Sequence, residues 1–128
     1  MKRINVGIIG TGWCGGIRAN TCAASALVDE LHIAEINEDR LKEVISETKP
    51  TSASTDYKDI ITNDKLDTII ISATPETTHY PIAKEALLAR KHVFLEKPLA
   101  LTLEEADELI RIQKENNLKF AIGYSQRF

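Results

Sequence analysis

Residues Ile4–Thr21 read INVGIIGTGWCGGIRANT, a run of branched aliphatics that ends in four glycines, Gly10, Gly12, Gly15 and Gly16. Each glycine forgoes side-chain burial and adds backbone entropy to be lost on folding, about 0.5–1 kcal/mol against alanine in a regular element. Such a cluster persists only where a bare backbone is needed. Ile4–Ile9 fits a buried strand, and the residues after Gly12 fit the first turn of a helix. A strand that turns through glycine into a helix leaves open N–H groups and a positive dipole end, which suits a phosphate.

The rest of the chain repeats the alternation. Short β-rich runs lie at about Ile4–Ile9, Leu31–Ile36, Thr68–Ser72, His92–Leu95 and Lys119–Tyr124, with a weak one near Ser52–Thr55. Between them come longer segments with helical spacing, such as Leu103, Ala106, Leu109, Ile110 and Gln113. Asn37 or Asp39 starts the second helix, and Pro50 lies just past its end. Thr102 and Glu105 form a capping box for the last helix, which Asn116-Asn117 closes. Six strands alternating with five helices predict right-handed crossovers and a parallel sheet covered on both faces. The unbroken apolar stretch TIIISA, Thr68–Ala73, reads as such a doubly covered strand. The expected fold is α/β, a doubly wound parallel sheet of the Rossmann type, order 3-2-1-4-5-6, forming one domain over residues 1–128.

In that setting the glycine loop has a specific reading. Gly10 allows the tight turn, Gly12 lets the backbone approach a pyrophosphate, and Gly15 lets helix and strand pack closely. Glu35 lies 20 residues beyond Gly15, at the end of the second strand. A carboxylate there accepts hydrogen bonds from both hydroxyls of an adenosine ribose and repels the 2′-phosphate of NADP. Ile36 adds no positive charge, so NAD is favoured over NADP, although nearby Arg40 can blunt the preference. Trp13 is expected to pack against the cofactor or its rim. Cys14 sits in the loop, where helix N–H groups can lower a thiol pKa; a small residue tolerated beside a phosphate is the simpler reading.

Bulk properties narrow the class. The chain has 128 residues, 43% hydrophobic and 27% charged, with a net charge of −3 and both signs intermixed. No basic block marks a nucleic-acid or anionic-membrane surface, and no run approaches the roughly 18 apolar residues of a membrane span. Cys14 and Cys22 are the only cysteines and have no metal-type spacing, which predicts a reducing, cytoplasmic setting with neither a disulfide framework nor a metal site.

Two further stretches, SATPETTHYPIAKEAL (Ser72–Leu87) and KHVFLEKPLALTLEEA (Lys91–Ala106), carry more specific information. With the glycine loop and the ending GYSQRF, they make the whole chain resemble the nucleotide-binding half of the glucose–fructose oxidoreductase / inositol dehydrogenase / MocA (Gfo/Idh/MocA) family. Thr74 and Pro75 end the fourth strand on the edge where ligands bind, and Thr74 is expected on the nicotinamide-ribose side. The resemblance makes His79 a cofactor neighbour; read from its position alone it is a surface helix residue. It also implies that Lys97 reaches between nicotinamide and substrate, hydrogen-bonding the hydroxyl being oxidised or relaying its proton. Burial beside a positive ring would lower that lysine's pKa toward a useful range. Glu96 would orient Lys97 or the ribose, and Pro98 would follow a cis bond. Two positions depart from the family pattern. Arg90 stands where a glycine commonly closes a helix, which makes that cap less favourable, and Arg18 stands where histidine is frequent.

The resemblance implies an oxidoreductase moving hydride between NAD(P) and a hydroxyl carbon of a sugar, polyol or related small molecule. Family members continue into a second domain that supplies substrate walls and a catalytic histidine. That domain is expected to be absent here, which leaves a second reading, an NAD-binding module without turnover. An S-adenosylmethionine methyltransferase would share the glycine loop but leaves Glu96-Lys97-Pro98 unexplained. The last strand, with Tyr124 and Phe128 beside it, is expected to be an open edge that favours self-association.

Overall fold

Strand β1 (Ile4–Ile9) lies inside the sheet, with β2 (Val28–Ala34) on one side and β4 (Thr68–Ile71) on the other, both parallel to it. The computed structural model describes residues 2–123. Outward from β2 lies β3 (Ser52–Ser54), and outward from β4 lie β5 (His92–Glu96) and β6 (Phe120–Gly123), giving the parallel order β3-β2-β1-β4-β5-β6. This is the doubly wound α/β sheet expected from the alternation. The crossovers carry α1 (Trp13–Ala24), α2 (Glu38–Thr48), the single-turn α3 (Lys58–Ile61), α4 (His79–Leu88) and α5 (Leu103–Glu115), with a 3-10 turn at Glu76–Thr78. Tyr124 and Phe128 lie outside the described residues; β6 is an edge strand. No helix among the described residues is long and apolar enough to cross a membrane.

The two-residue period of β1 sorts its side chains between two cores. Val6 and Ile8 join Leu31 and Ile33 of β2 under α1 and α2, where Ala19, Leu41 and Val44 meet them. Ile9 faces the other way, into the larger cluster of Ile69, Ile71, Leu95, Leu87, Leu109 and Ile112. Burying each Ile or Leu contributes about 1.5–3 kcal/mol, and both faces of the central strands are used.

Local chemistry sets the ends of the elements. The Asn37 side chain accepts the Arg40 N–H at 3.0 Å, so Asn37 rather than Asp39 caps α2. Thr102 caps α5 by accepting the Glu105 N–H at 3.2 Å. The Glu105 carboxylate returns to the N–H of Leu101 at 3.3 Å, one residue before the position a standard capping box would use. Lys49, Arg90 and Asn117 take left-handed conformations just past α2, α4 and α5. At Arg90, with φ of 64°, this gives the missing glycine its physical meaning.

Strand β2 begins three residues before the expected Leu31 and ends at Ala34, which pairs with Ile9. The Gly10 N–H then takes the Ala34 carbonyl at 2.9 Å as β1 turns away. Glu35 and Ile36 are thereby released beyond the sheet. They enter the crevice at the carboxyl ends of β1, β2 and β4, where the strand order reverses.

Candidate cofactor-binding cleft

The three glycines of the loop are bare for three different reasons. Gly10 has φ of +89°, and a Cβ on it would stand 2.6 Å from the backbone of Ala73 after β4. A Cβ on Gly15 would lie 2.0 Å from the Gly10 carbonyl oxygen, so α1 can seat on the loop only without one. Gly12 is different: its backbone is extended, with φ −65° and ψ −151°, and a Cβ there meets nothing within 4 Å. No packing contact asks for glycine at position 12. The space it leaves faces outward at the start of α1, whose first internal hydrogen bond runs from Gly16 N–H to Gly12 C=O at 2.8 Å. No side chain caps this helix, so the preceding N–H groups are open to an anion.

Beside the loop lies a cleft of about 530 Å³, reached from Gly10–Gly12, Glu35–Asn37 and Ser72–Thr74. That size suits a small molecule or part of a dinucleotide. In its wall the Ser72 hydroxyl is buried and has no hydrogen-bond partner, although such groups are normally satisfied. An empty cradle at Gly12, open amides and an orphaned hydroxyl fit a polar, anionic ligand.

Glu35 lines this cleft, but its carboxylate is already engaged. Oε1 accepts the Thr11 N–H at 2.8 Å and the Thr11 hydroxyl at 2.7 Å, while Oε2 accepts the Asn37 N–H at 2.9 Å. Burial alone would raise its pKa. The hydrogen bonds from Asn37 and Thr11, with the nearby Arg40 charge, outweigh burial and hold the carboxyl below its ordinary range. With roughly two acceptor sites per oxygen, Oε2 has room for one more donor and Oε1 for none. A further donor to this carboxylate therefore finds its open acceptor site on Oε2.

Thr11, fully buried between two glycines, is a residue that motif reading passes over. Its hydroxyl and N–H hold Glu35, and its carbonyl accepts Arg40 Nε at 2.8 Å. Arg40 also donates to Glu43 at 3.0 Å. Tyr57 was missed as well. It lines the cleft and donates its hydroxyl to Glu85 at 3.1 Å; burial, then Glu85, pushes its pKa up.

The other expected residues divide. Thr74 is on the cleft wall, and Pro75, exposed beside it, follows a cis bond, as Pro98 does. Trp13 is 86% exposed, and Cys14, half-buried, is a free thiol in the first turn of α1. His79 is not at the surface. It is buried, and its ring nitrogens lie 2.8 Å from the Pro98 carbonyl and 2.9 Å from the Ala73 carbonyl. It ties the turn after β4 to the turn after β5. Glu96, expected to orient Lys97 or a ribose, faces Arg18 of α1 at 2.7 Å. Lys97 is exposed and has no hydrogen-bond or ion-pair partner among the described residues.

Residues 4–124 match the model of an oxidoreductase family with an NAD-binding Rossmann fold, Gfo/Idh/MocA. The chain belongs to that family. It is 29% identical over 128 residues to myo-inositol 2-dehydrogenase of Thermotoga maritima, covering 98% of this chain and 37% of that protein. It is 32% identical over 127 residues to UDP-N-acetylglucosamine 3-dehydrogenase of Acidithiobacillus ferrooxidans, covering 99% of this chain and 39% of that one. Scyllo-inositol dehydrogenase from Lactobacillus casei, solved with bound NAD(H) and scyllo-inositol, superposes with a TM-score of 0.89 at 29% identity, covering 99% of this chain and 38% of that one. The chain thus spans well under half the length of these Gfo/Idh/MocA relatives.

Proposed function

We propose that this chain is the dinucleotide-binding part of an oxidoreductase that moves hydride between NAD and a hydroxyl carbon of a sugar, polyol or related compound. The observation that carries the reading is Gly12, a glycine with no packing reason in the fold, set at the open N-terminus of α1. Its amide and those of the first turn would take the diphosphate, with Gly10 and Gly15 holding the loop in shape. Glu35 would accept one hydroxyl of the adenosine ribose through Oε2. Its charge beside that ribose favours NAD over NADP, and Arg40 is tied up by Thr11 and Glu43. Thr74 and Pro75 would border the nicotinamide ribose, and Trp13 and Cys14 would flank the cofactor at the helix start.

The nicotinamide, when bound, supplies the hydride acceptor or donor. Lys97 is the proposed catalytic residue. Its side chain just past β5 can donate a hydrogen bond to a substrate oxygen as the ammonium, or as the neutral amine accept the proton that leaves as the hydroxyl gives up its hydride and becomes a carbonyl. Glu96 and His79, proposed from the sequence as cofactor neighbours, act on this reading through the backbone of the same turn. Two free thiols support a reducing, cytoplasmic setting, and edge strand β6 supports self-association.

Calorimetric titration with NAD and NADP, followed by a sugar and polyol panel read at NADH absorbance, tests the proposal. Tight NAD binding with weaker NADP binding is expected. NAD binding without NADH formation would leave the second reading, a binding module without turnover, as the description of this chain. No binding of either dinucleotide would overturn both.

A further inference from the structure

The Glu96–Lys97–Pro98 turn is anchored on both sides of a free residue. Pro98 is held through its carbonyl by His79, and Glu96 is held through its carboxylate by Arg18. The Arg18–Glu96 pair is largely enclosed, with the two side chains 20% and 15% exposed. The Arg18 guanidinium also lies over the Phe94 ring, 4.9 Å from its centroid, and above Gly123, where a Cβ would stand 2.9 Å from Nη2. The buried Glu96 Oε2 is close to Arg18 without the alignment of a hydrogen bond, so charge is what holds it. Among the described residues, the charged or titratable groups brought to this turn are Arg18 from α1, Glu96 on β5, His79 from α4, and Glu105 from α5, whose carboxylate accepts the Leu101 N–H.

We infer that Arg18 is a positioning residue for Lys97. By engaging Glu96 it keeps the neighbouring carboxylate from pairing with the Lys97 ammonium, which stays free to face a reacting group. This rests on the proposed assignment of Lys97 to the reacting side of the cleft. It also accounts for Arg18 at a position that departs from the family pattern: an arginine is always charged, and its planar face stacks on Phe94. Without that cation, the Glu96 carboxylate is released next to the lysine that follows it in the chain.

The test is acylation of the whole chain with N-hydroxysuccinimidyl acetate at fixed pH, read at Lys97 by mass spectrometry against exposed Lys42. Only the unprotonated amine reacts, so the rate reports the local electrostatics. Arg18→Met is expected to slow Lys97 about threefold, the equivalent of about half a pH unit for a partly exposed pair. Arg18→Lys should retain the wild-type rate, and adding Glu96→Gln to Arg18→Met should restore it. Glu96→Gln alone, which leaves the guanidinium unpaired, should speed Lys97 by a similar factor and provides the test if Arg18→Met does not fold. An unchanged Lys97 rate in a folded Arg18→Met or in Glu96→Gln, or slowing that persists in the double variant, overturns the inference. Failure of the wild type to bind NAD would sink the cofactor assignment and leave these rates unaffected.

Discussion

Gly12→Ala separates the needs of the fold from those of the ligand. A methyl at position 12 meets no atom within 4 Å. Two small terms oppose each other. Reduced entropy of the unfolded chain stabilises by about 0.4–1 kcal/mol, and alanine is a poorer N-cap than glycine by a similar amount. The melting temperature should therefore stay within about 4 °C of wild type. Binding should not be spared, because the methyl projects into the space a diphosphate needs to reach the amides. Loss of one charge-assisted hydrogen bond, about 1.5–3 kcal/mol, weakens NAD binding roughly ten- to hundredfold. Gly15→Ala should behave oppositely. Its Cβ would stand 2.0 Å from the Gly10 oxygen, so α1 must move by about 1 Å or more, at a cost near 3 kcal/mol and about 10 °C. Thermal melts paired with NAD calorimetry read both. A folded Gly12→Ala that binds NAD as the wild type does would refute the reasoning.

Glu35 makes stability depend on pH. Its folded pKa lies below the ordinary 4.5, so its contribution is present above that value and disappears as pH falls through the lower folded pKa. Glu35→Gln should melt below wild type at about pH 7, and the gap should close as pH falls through the lowered folded pKa; parallel melting curves at all pH values would contradict the Thr11 and Asn37 contacts. Arg90→Gly should stabilise the chain by about 1 kcal/mol, or about 4 °C, by relieving a left-handed conformation. A fall in melting temperature would show that the Arg90 side chain makes a compensating contact.

The alternation of short apolar runs with helical spacing was enough to predict strand order, and glycine spacing was enough to place the strand-to-helix loop. Both are local: a strand's period, a turn's φ and a helix start depend on residues a few positions apart. The α2 cap is local too, but the sequence left it open between Asn37 and Asp39, and the boundaries of β2 needed the pairing with β1. What only the tertiary structure decided is where side chains that look free find partners. Glu35 is spent largely on Thr11, 24 residues away; His79 bridges Ala73 and Pro98; Glu96 meets Arg18 across the sheet edge. Each of these groups carries more hydrogen-bonding capacity or charge than one neighbour can satisfy. Burial forces that capacity to be met by whatever the packed elements bring near, and linear spacing does not encode which element that is.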